Sequence, residues 1–269
     1  MKLATPPTTP PQSVTKTLRP ARAIVALILR EMSSSYGRTP GGYIWALAEP
    51  VAGIALLSAV FSAAFQTPAL GLSFALFYAT GMVPFSMFNG LSQKLTQALN
   101  FSRQLLAYPA VTLADALVAR LILNLMVELL TAVIVFSGII LLIENRAIVD
   151  VAQIALALGL AAALATGIGV LNCYLVMRFP AWQQVWSILM KPMFVISCVF
   201  FLFDTVPQPF RDWLWWNPIV HVIGIMRRGF YAGYTADYAS ITYVAGIATM
   251  AFVIGLAMLK RDARSLLTR

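Results

Sequence analysis

The chain has 269 residues, of which 60% are hydrophobic and 11% charged, and its mean hydropathy is +0.81. Soluble domains carry about 25% charge, so the composition excludes a water-soluble globular protein and indicates an all-α integral membrane protein. The formal charge of +9 does not indicate a nucleic-acid partner, because Lys and Arg gather at the two ends and in alternate loops, as membrane topology requires.

Residues 1–21, with Pro6-Pro7 and Pro10-Pro11, lack an apolar signal core and read as a disordered cytoplasmic tail. Residues 22–43 comprise an amphipathic helix and a linker. Over 22–33, Ile24, Val25, Leu27, Ile28, Leu29 and Met32 share one side of a helical projection, opposite Arg22, Ala26, Arg30 and Ser33. About 12 residues cannot span a bilayer, so this helix should lie in the interface plane. The alternative is a helix docked on the cytoplasmic ends of the spans.

Residues 44–269 form one transmembrane domain of six helices. Spanning requires about 20 mostly apolar residues, and such stretches occur at 46–65, 70–90, 116–142, 152–176, 185–203 and 239–259. The fifth carries Lys191-Pro192 near its start. Of the 19 Lys and Arg, 15 fall on the side that holds both termini, which places both termini in the cytoplasm. Between the last two spans, at about 204–234, Asn217-Pro218 interrupts an apolar stretch that Arg227-Arg228 closes. Irregular backbone at membrane depth is tolerated only where protein or a water-filled cavity surrounds it. The stretch is therefore read as a re-entrant segment lining a conduit.

Arg120, Asn124 and Glu128 recur every four residues on the third span and line one helix face. Intramembrane charge faces a bundle interior or an aqueous cavity, so the row is either a polar strip along a transport path or inter-helix glue bridged by Asn124. Glu49, before Pro50, can pair with Arg38 or Arg120. The fourth span, from Gly159 through Ala161-Ala162-Ala163 to Gly167 and Gly169, reads as a close-packing face. His221 is the one histidine; an acid–base role needs a partner in reach, with Asp204 and Asp212 as candidates, and a structural role is the alternative. Trp213, Trp215, Trp216, Phe230, Tyr231 and Tyr234 suit an outer aromatic belt or stacking on sugar rings.

Cys173 and Cys198 lie inside apolar runs and behave as small hydrophobes. With one histidine, no zinc constellation is expected. The chain lacks Gly-x-x-x-x-Gly-Lys-[Ser/Thr], the loop that cradles nucleotide phosphates. It is expected to hold no cofactor and no catalytic or metal residues of its own. Any ATP and Mg would be bound by a partner.

Four blocks together resemble the membrane subunit of ABC-2-type exporters, in the capsular-polysaccharide and O-antigen branch. They are Leu29-Arg30-Glu31 with Tyr36-Gly37-Arg38, then Gly42 through Pro50, then Arg103 through Val111, and Asn217-Pro218 through Tyr234. The resemblance implies a homodimer joined to cytoplasmic ABC ATPase subunits in a bacterial inner membrane, exporting a lipid-linked polysaccharide. It also admits a periplasmic co-polymerase or adaptor leading to an outer-membrane exporter. By position it implies ATPase coupling through the N-terminal helix, with Arg30 and Glu31. A loop at about 91–112, with Arg103, Gln104, Tyr108 and Pro109, would share that role. A translocation path would then draw on Arg120, Asn124 and Glu128, and at its exit on Trp216, Asn217, Pro218, His221, Arg227, Arg228 and Tyr231. Rival substrates are O-antigen, teichoic acid or a small amphiphile. A membrane transferase would need a clustered His–carboxylate or paired-carboxylate site, and a channel would need no ATPase.

Overall fold

The computed structural model describes residues 19–32, 42–102, 112–142 and 149–267, with side chains over 24–32, 48–102, 112–142 and 149–262. The described residues are helical, with no strand among them. In chain order the helices are α1 (Arg19–Glu31), α2 (Gly42–Ala64), α3 (Phe74–Thr96), α4 (Ala98–Ser102), α5 (Leu113–Leu142), α6 (Val151–Arg178), α7 (Trp182–Ile196), α8 (Phe210–Trp215), α9 (Pro218–Phe230) and α10 (Ile241–Leu267). Four of them, α3, α5, α6 and α10, are long and apolar enough to cross a membrane. α2 has 23 residues and α7 has 15.

Local chemistry sets the helix starts. Ser73 accepts from the Leu76 N–H to cap α3, and Asp150 accepts from the Ala152 and Gln153 N–H groups to cap α6. Thr112 and Asp115 hydrogen-bond reciprocally before α5, as in a capping box. At the end of α6, Phe179 precedes Pro180, a context that disfavours helical backbone.

α6 is the central helix, packed against α3, α9 and α10. Its small residues permit this. A Cβ at Gly167 would lie 2.2 Å from the Ala248 carbonyl oxygen of α10, and one at Gly169 would lie 2.7 Å from Leu95 Cβ of α3. α10 reciprocates, since a Cβ at Gly255 would meet the backbone of Leu171. Gly159 has open space instead. Close backbone approach of this kind replaces hydrophobic driving force where the surrounding solvent is lipid. Outward faces remain strongly apolar: Met126, Leu130 and Val133 on α5, and Met250, Val253 and Ile254 on α10, are exposed. In water such a surface would aggregate, whereas against acyl chains it is solvated.

One stretch departs from expectation. The apolar run 185–203 predicts a single span, but α7 ends at Ile196 and Cys198 adopts φ +61°. The physical reason lies elsewhere in the chain. Arg227 of α9 donates through Nη1 to the Phe201 carbonyl (2.9 Å) and through Nη2 to the Val199 carbonyl (3.1 Å). The irregular stretch at 197–202 presents these carbonyls to Arg227, and a 3₁₀ turn at Phe203–Thr205 follows.

Candidate functional site

A buried polar junction ties three elements together at one end of α5. Glu31 of α1 and Arg120 of α5 form an ion pair at 3.1 Å (Oε1 to Nε), each side chain 7% exposed. Arg120 Nη1 donates to the carbonyl of Gln97, the residue that ends α3 (3.2 Å), and its guanidinium lies 4.5 Å from the Phe101 ring centroid of α4. Arg30 approaches the same ring from α1, at 5.7 Å. Asn124 donates to the Arg120 carbonyl at 2.8 Å and stands 3.5 Å from Glu31 Oε1. Gln97 in turn donates to Gln183 at the start of α7 (2.8 Å).

α1 thus docks on α5 through Leu27 and Glu31, both buried, while Val25, Leu29 and Met32 stay exposed as an apolar row. The docked reading of the amphipathic helix holds along this edge, and the opposite row leaves an apolar face exposed. The acid–base arithmetic of the third span is rearranged. The acid that Arg120 meets is Glu31, not Glu128 or Glu49. Asn124 joins that junction instead of bridging to Glu128, because α1 delivers a carboxylate closer than the next two turns of α5 can.

Glu128 faces a second feature, a cavity of about 540 Å³ between α2, α3, α5 and α7. Glu49, Asn89, Gln93, Ser187 and Lys191 line it with Glu128. Gly90 makes room, since a Cβ there would lie 2.5 Å from Glu128 Oε1. Beside this cavity an apolar one of about 400 Å³ runs between α2, α3 and α5, lined by Val51, Ile54, Ile134, Val135 and Leu142 among others.

The segment 204–234 resolves into α8, α9 and their connections. Asn217 caps α9 by accepting from the Ile219 N–H (3.1 Å), donates to Ser197 Oγ (3.0 Å), and Pro218 takes the first helical turn. The helical break read from Asn217-Pro218 is therefore a helix start. α9 has 13 residues, 11 of them buried. Arg227 is fully buried, engaged by the two carbonyls above and by the Phe77 ring at 4.5 Å. Arg228 donates twice to Gln153 Oε1 of α6.

His221 is fully buried, and its ring nitrogens meet the Trp215 carbonyl (Nε2, 2.7 Å) and the Ser240 N–H (Nδ1, 3.2 Å). Nδ1 must accept, so Nε2 carries the proton and the imidazole is neutral. The carboxylates of Asp204 and Asp212 are not its partners. Asp212 accepts from Gln208 instead, and the Asp204 carbonyl accepts from Arg211. Of the aromatics, Trp213 and Trp216 are 78% and 69% exposed, whereas Phe230 and Tyr234 are buried. Tyr231 lies against Gly71, whose φ of +70° and want of a Cβ admit its ring. Arg103, Gln104, Tyr108 and Pro109 lie outside the described residues.

The sequence that builds these elements has counterparts among known proteins. The ABC-2 type transporter family matches residues 22–231. The chain belongs to that family. It is 29% identical over 245 residues to the polysialic acid transport protein KpsM of Escherichia coli, covering 91% of this chain and 95% of that protein. It is 24% identical over 243 residues to the capsule polysaccharide export inner-membrane protein CtrC of Neisseria meningitidis serogroup A, covering 90% and 92%. It is 25% identical over 244 residues to the capsule polysaccharide export inner-membrane protein BexB of Haemophilus influenzae, again covering 90% and 92%.

Within this ABC-2 chain, sequence reasoning did not single out Gln97, Phe101, Asn89, Gln93 or Lys191. Helical spacing identifies which residues share a face but not what a distant helix brings to it. A polar row on α3, Asn89-Gly90 with Gln93 three residues on, was the available signal for the cavity.

Proposed function

We propose that the chain is the membrane subunit of an ATP-driven exporter that moves a lipid-linked capsular polysaccharide across the bacterial inner membrane. The observation that carries this reading is similarity along nine-tenths or more of the chain to three proteins named for polysialic acid transport or capsule polysaccharide export. Two copies of the chain, each with six spans and both termini in the cytoplasm, work with a cytoplasmic ABC ATPase that binds ATP and Mg. The apolar stretches of α2 and α7 supply the remaining two spans, and the segment 204–234 re-enters the membrane from the outer side. Export then passes to a periplasmic adaptor.

The geometry supports a specific route for force. Motion of the ATPase against α1 and the loop after α4 meets at Arg120, which joins α1, the end of α3 and the Phe101 ring. α5 carries that motion past Glu128 to its far end. The polymer moves on weak contacts with amides, hydroxyls and aromatics, because a polymer held tightly would stall. No covalent chemistry is assigned to this chain.

Co-expression with neighbouring genes tests the reading. An ABC ATPase subunit should co-purify, and its hydrolysis should require this chain for coupling to polymer release. Purification of the chain alone, with no such subunit in any preparation, would return the question to a channel or a transferase.

A further inference from the structure

The polar and apolar cavities follow one another along α2 and α5. α2 lines the polar one with Glu49 and Pro50 and the apolar one with Val51, Ile54 and Ser58. α5 lines them with Glu128 and then with Ile134 through Leu142. From Glu128 to Leu142 the helix rises about 21 Å at about 1.5 Å per residue, most of the ~30 Å hydrocarbon core. Met82 of α3 stands at the junction, within contact of Gly53. The upper compartment contains one polar side chain, Ser58, and a Cβ at Gly138 would meet nothing. This is the shape of a headgroup pocket with an acyl slot above it.

The charges select the headgroup. Glu49, Glu128 and Lys191 face the polar compartment, and among the described residues none of them is ion-paired within 4 Å. Two acidic side chains and one ammonium line the site, so a net anion gains nothing there, whereas a zwitterion can offer an ammonium to the acids and a phosphate to the lysine. Intramembrane charge requires a partner. A primary ammonium would satisfy the carboxylates through charge-assisted hydrogen bonds, and a phosphate would meet Lys191.

We propose that these cavities bind a bilayer phospholipid with an ethanolamine headgroup, its ammonium on Glu49 and Glu128, its phosphate toward Lys191, and one acyl chain along α5 between Val51 and Leu142. A lipid held there wedges α2 against α5, and so sets the resting separation of two helices that line the polar cavity.

The test is lipid retention by the full chain purified with its ATPase subunit and reconstituted in nanodiscs of phosphatidylethanolamine, phosphatidylglycerol and phosphatidylcholine in equal parts. Mass spectrometry of the bound lipid should find phosphatidylethanolamine enriched. Phosphatidylcholine should not compete, since its trimethylammonium cannot donate hydrogen bonds. Glu128→Gln should reduce the enrichment about tenfold, the equivalent of one charge-assisted hydrogen bond. Gly138→Leu should expel lipid of every headgroup by filling the slot. Should Glu128→Gln fail to insert, Lys191→Gln at an exposed position serves instead, with a smaller loss of the same preference. Equal retention of all three lipids, or enrichment unchanged in Glu128→Gln, overturns the proposal. So does efficient disulfide formation between Ser58→Cys copies, which would show that a second copy of the chain closes the apolar cavity.

Discussion

Replacing Arg120 with alanine removes the ion pair to Glu31, the hydrogen bond to the Gln97 carbonyl and the contact with the Phe101 ring in one step. Both side chains of the pair are 7% exposed, so the substitution breaks a buried ion pair from one side. Breaking a buried pair from one side costs about 3–5 kcal/mol, and the ring contact is worth ~0.5–2 kcal/mol more. The core of the bundle should not register this loss, because α1 packs on α5 and not on the α3–α6–α10 core. The ion-pair part of the energy falls on the docking of α1. At 1.4 kcal/mol per factor of ten, even ~3 kcal/mol raises the undocked population roughly a hundredfold. Hydrogen exchange of the α1 amides reads this directly, and coupling of ATP hydrolysis to export reads its consequence. Arg120→Ala should lose protection over 24–31 and hydrolyse ATP without export, while melting close to the wild-type temperature. The exchanged pair Glu31→Arg with Arg120→Glu should recover part of both. Unchanged protection of α1 with normal coupling would refute the reasoning.

Other positions separate packing from function. Gly167→Leu drives a side chain into the Ala248 backbone and should destabilise the α6–α10 contact by about 1–3 kcal/mol, seen as a lower melting temperature in detergent. Arg227→Lys keeps the charge but cannot serve the Val199 and Phe201 carbonyls as a fork. It should loosen 197–202, measured as faster proteolysis there, and Arg227→Ala should do so further. His221→Phe preserves the ring but leaves the Ser240 N–H and Trp215 carbonyl unmet. It should cost about 1–3 kcal/mol with the same relative loss at pH 6 and pH 8, since the imidazole acts as a neutral bridge; a loss confined to one pH would contradict that role.

Much of the helical plan was legible because apolar length is a strong signal. The stretches at 70–90, 116–142, 152–176 and 239–259 overlap α3, α5, α6 and α10, the first offset from Phe74–Thr96 by four to six residues. Gly167 and Gly169 announced a packing face, and both meet neighbouring backbones or Cβ atoms. What the sequence concealed were pairings set by tertiary approach. Glu31 and Arg120 are 89 positions apart, and the every-fourth-residue pattern on α5 pointed inward to Glu128, not outward to α1. The end of α7 was equally hidden. Val195 through Leu202 is an almost unbroken apolar run, and it departs from the helix where Arg227, nearly thirty residues on, takes two of its carbonyls. Asn217-Pro218 read as a break, and its role as cap and first turn of α9 depends on Ser197 being there to receive the Asn217 amide.

The export claim is tested most directly by where the polysaccharide accumulates in cells that lack this chain but keep its genomic neighbours. The account predicts that surface polymer disappears and full-length lipid-linked polymer collects in the cytoplasm. The wild-type gene should restore surface display, and Arg120→Ala should not. Undiminished surface polymer in the deletion strain would contradict it.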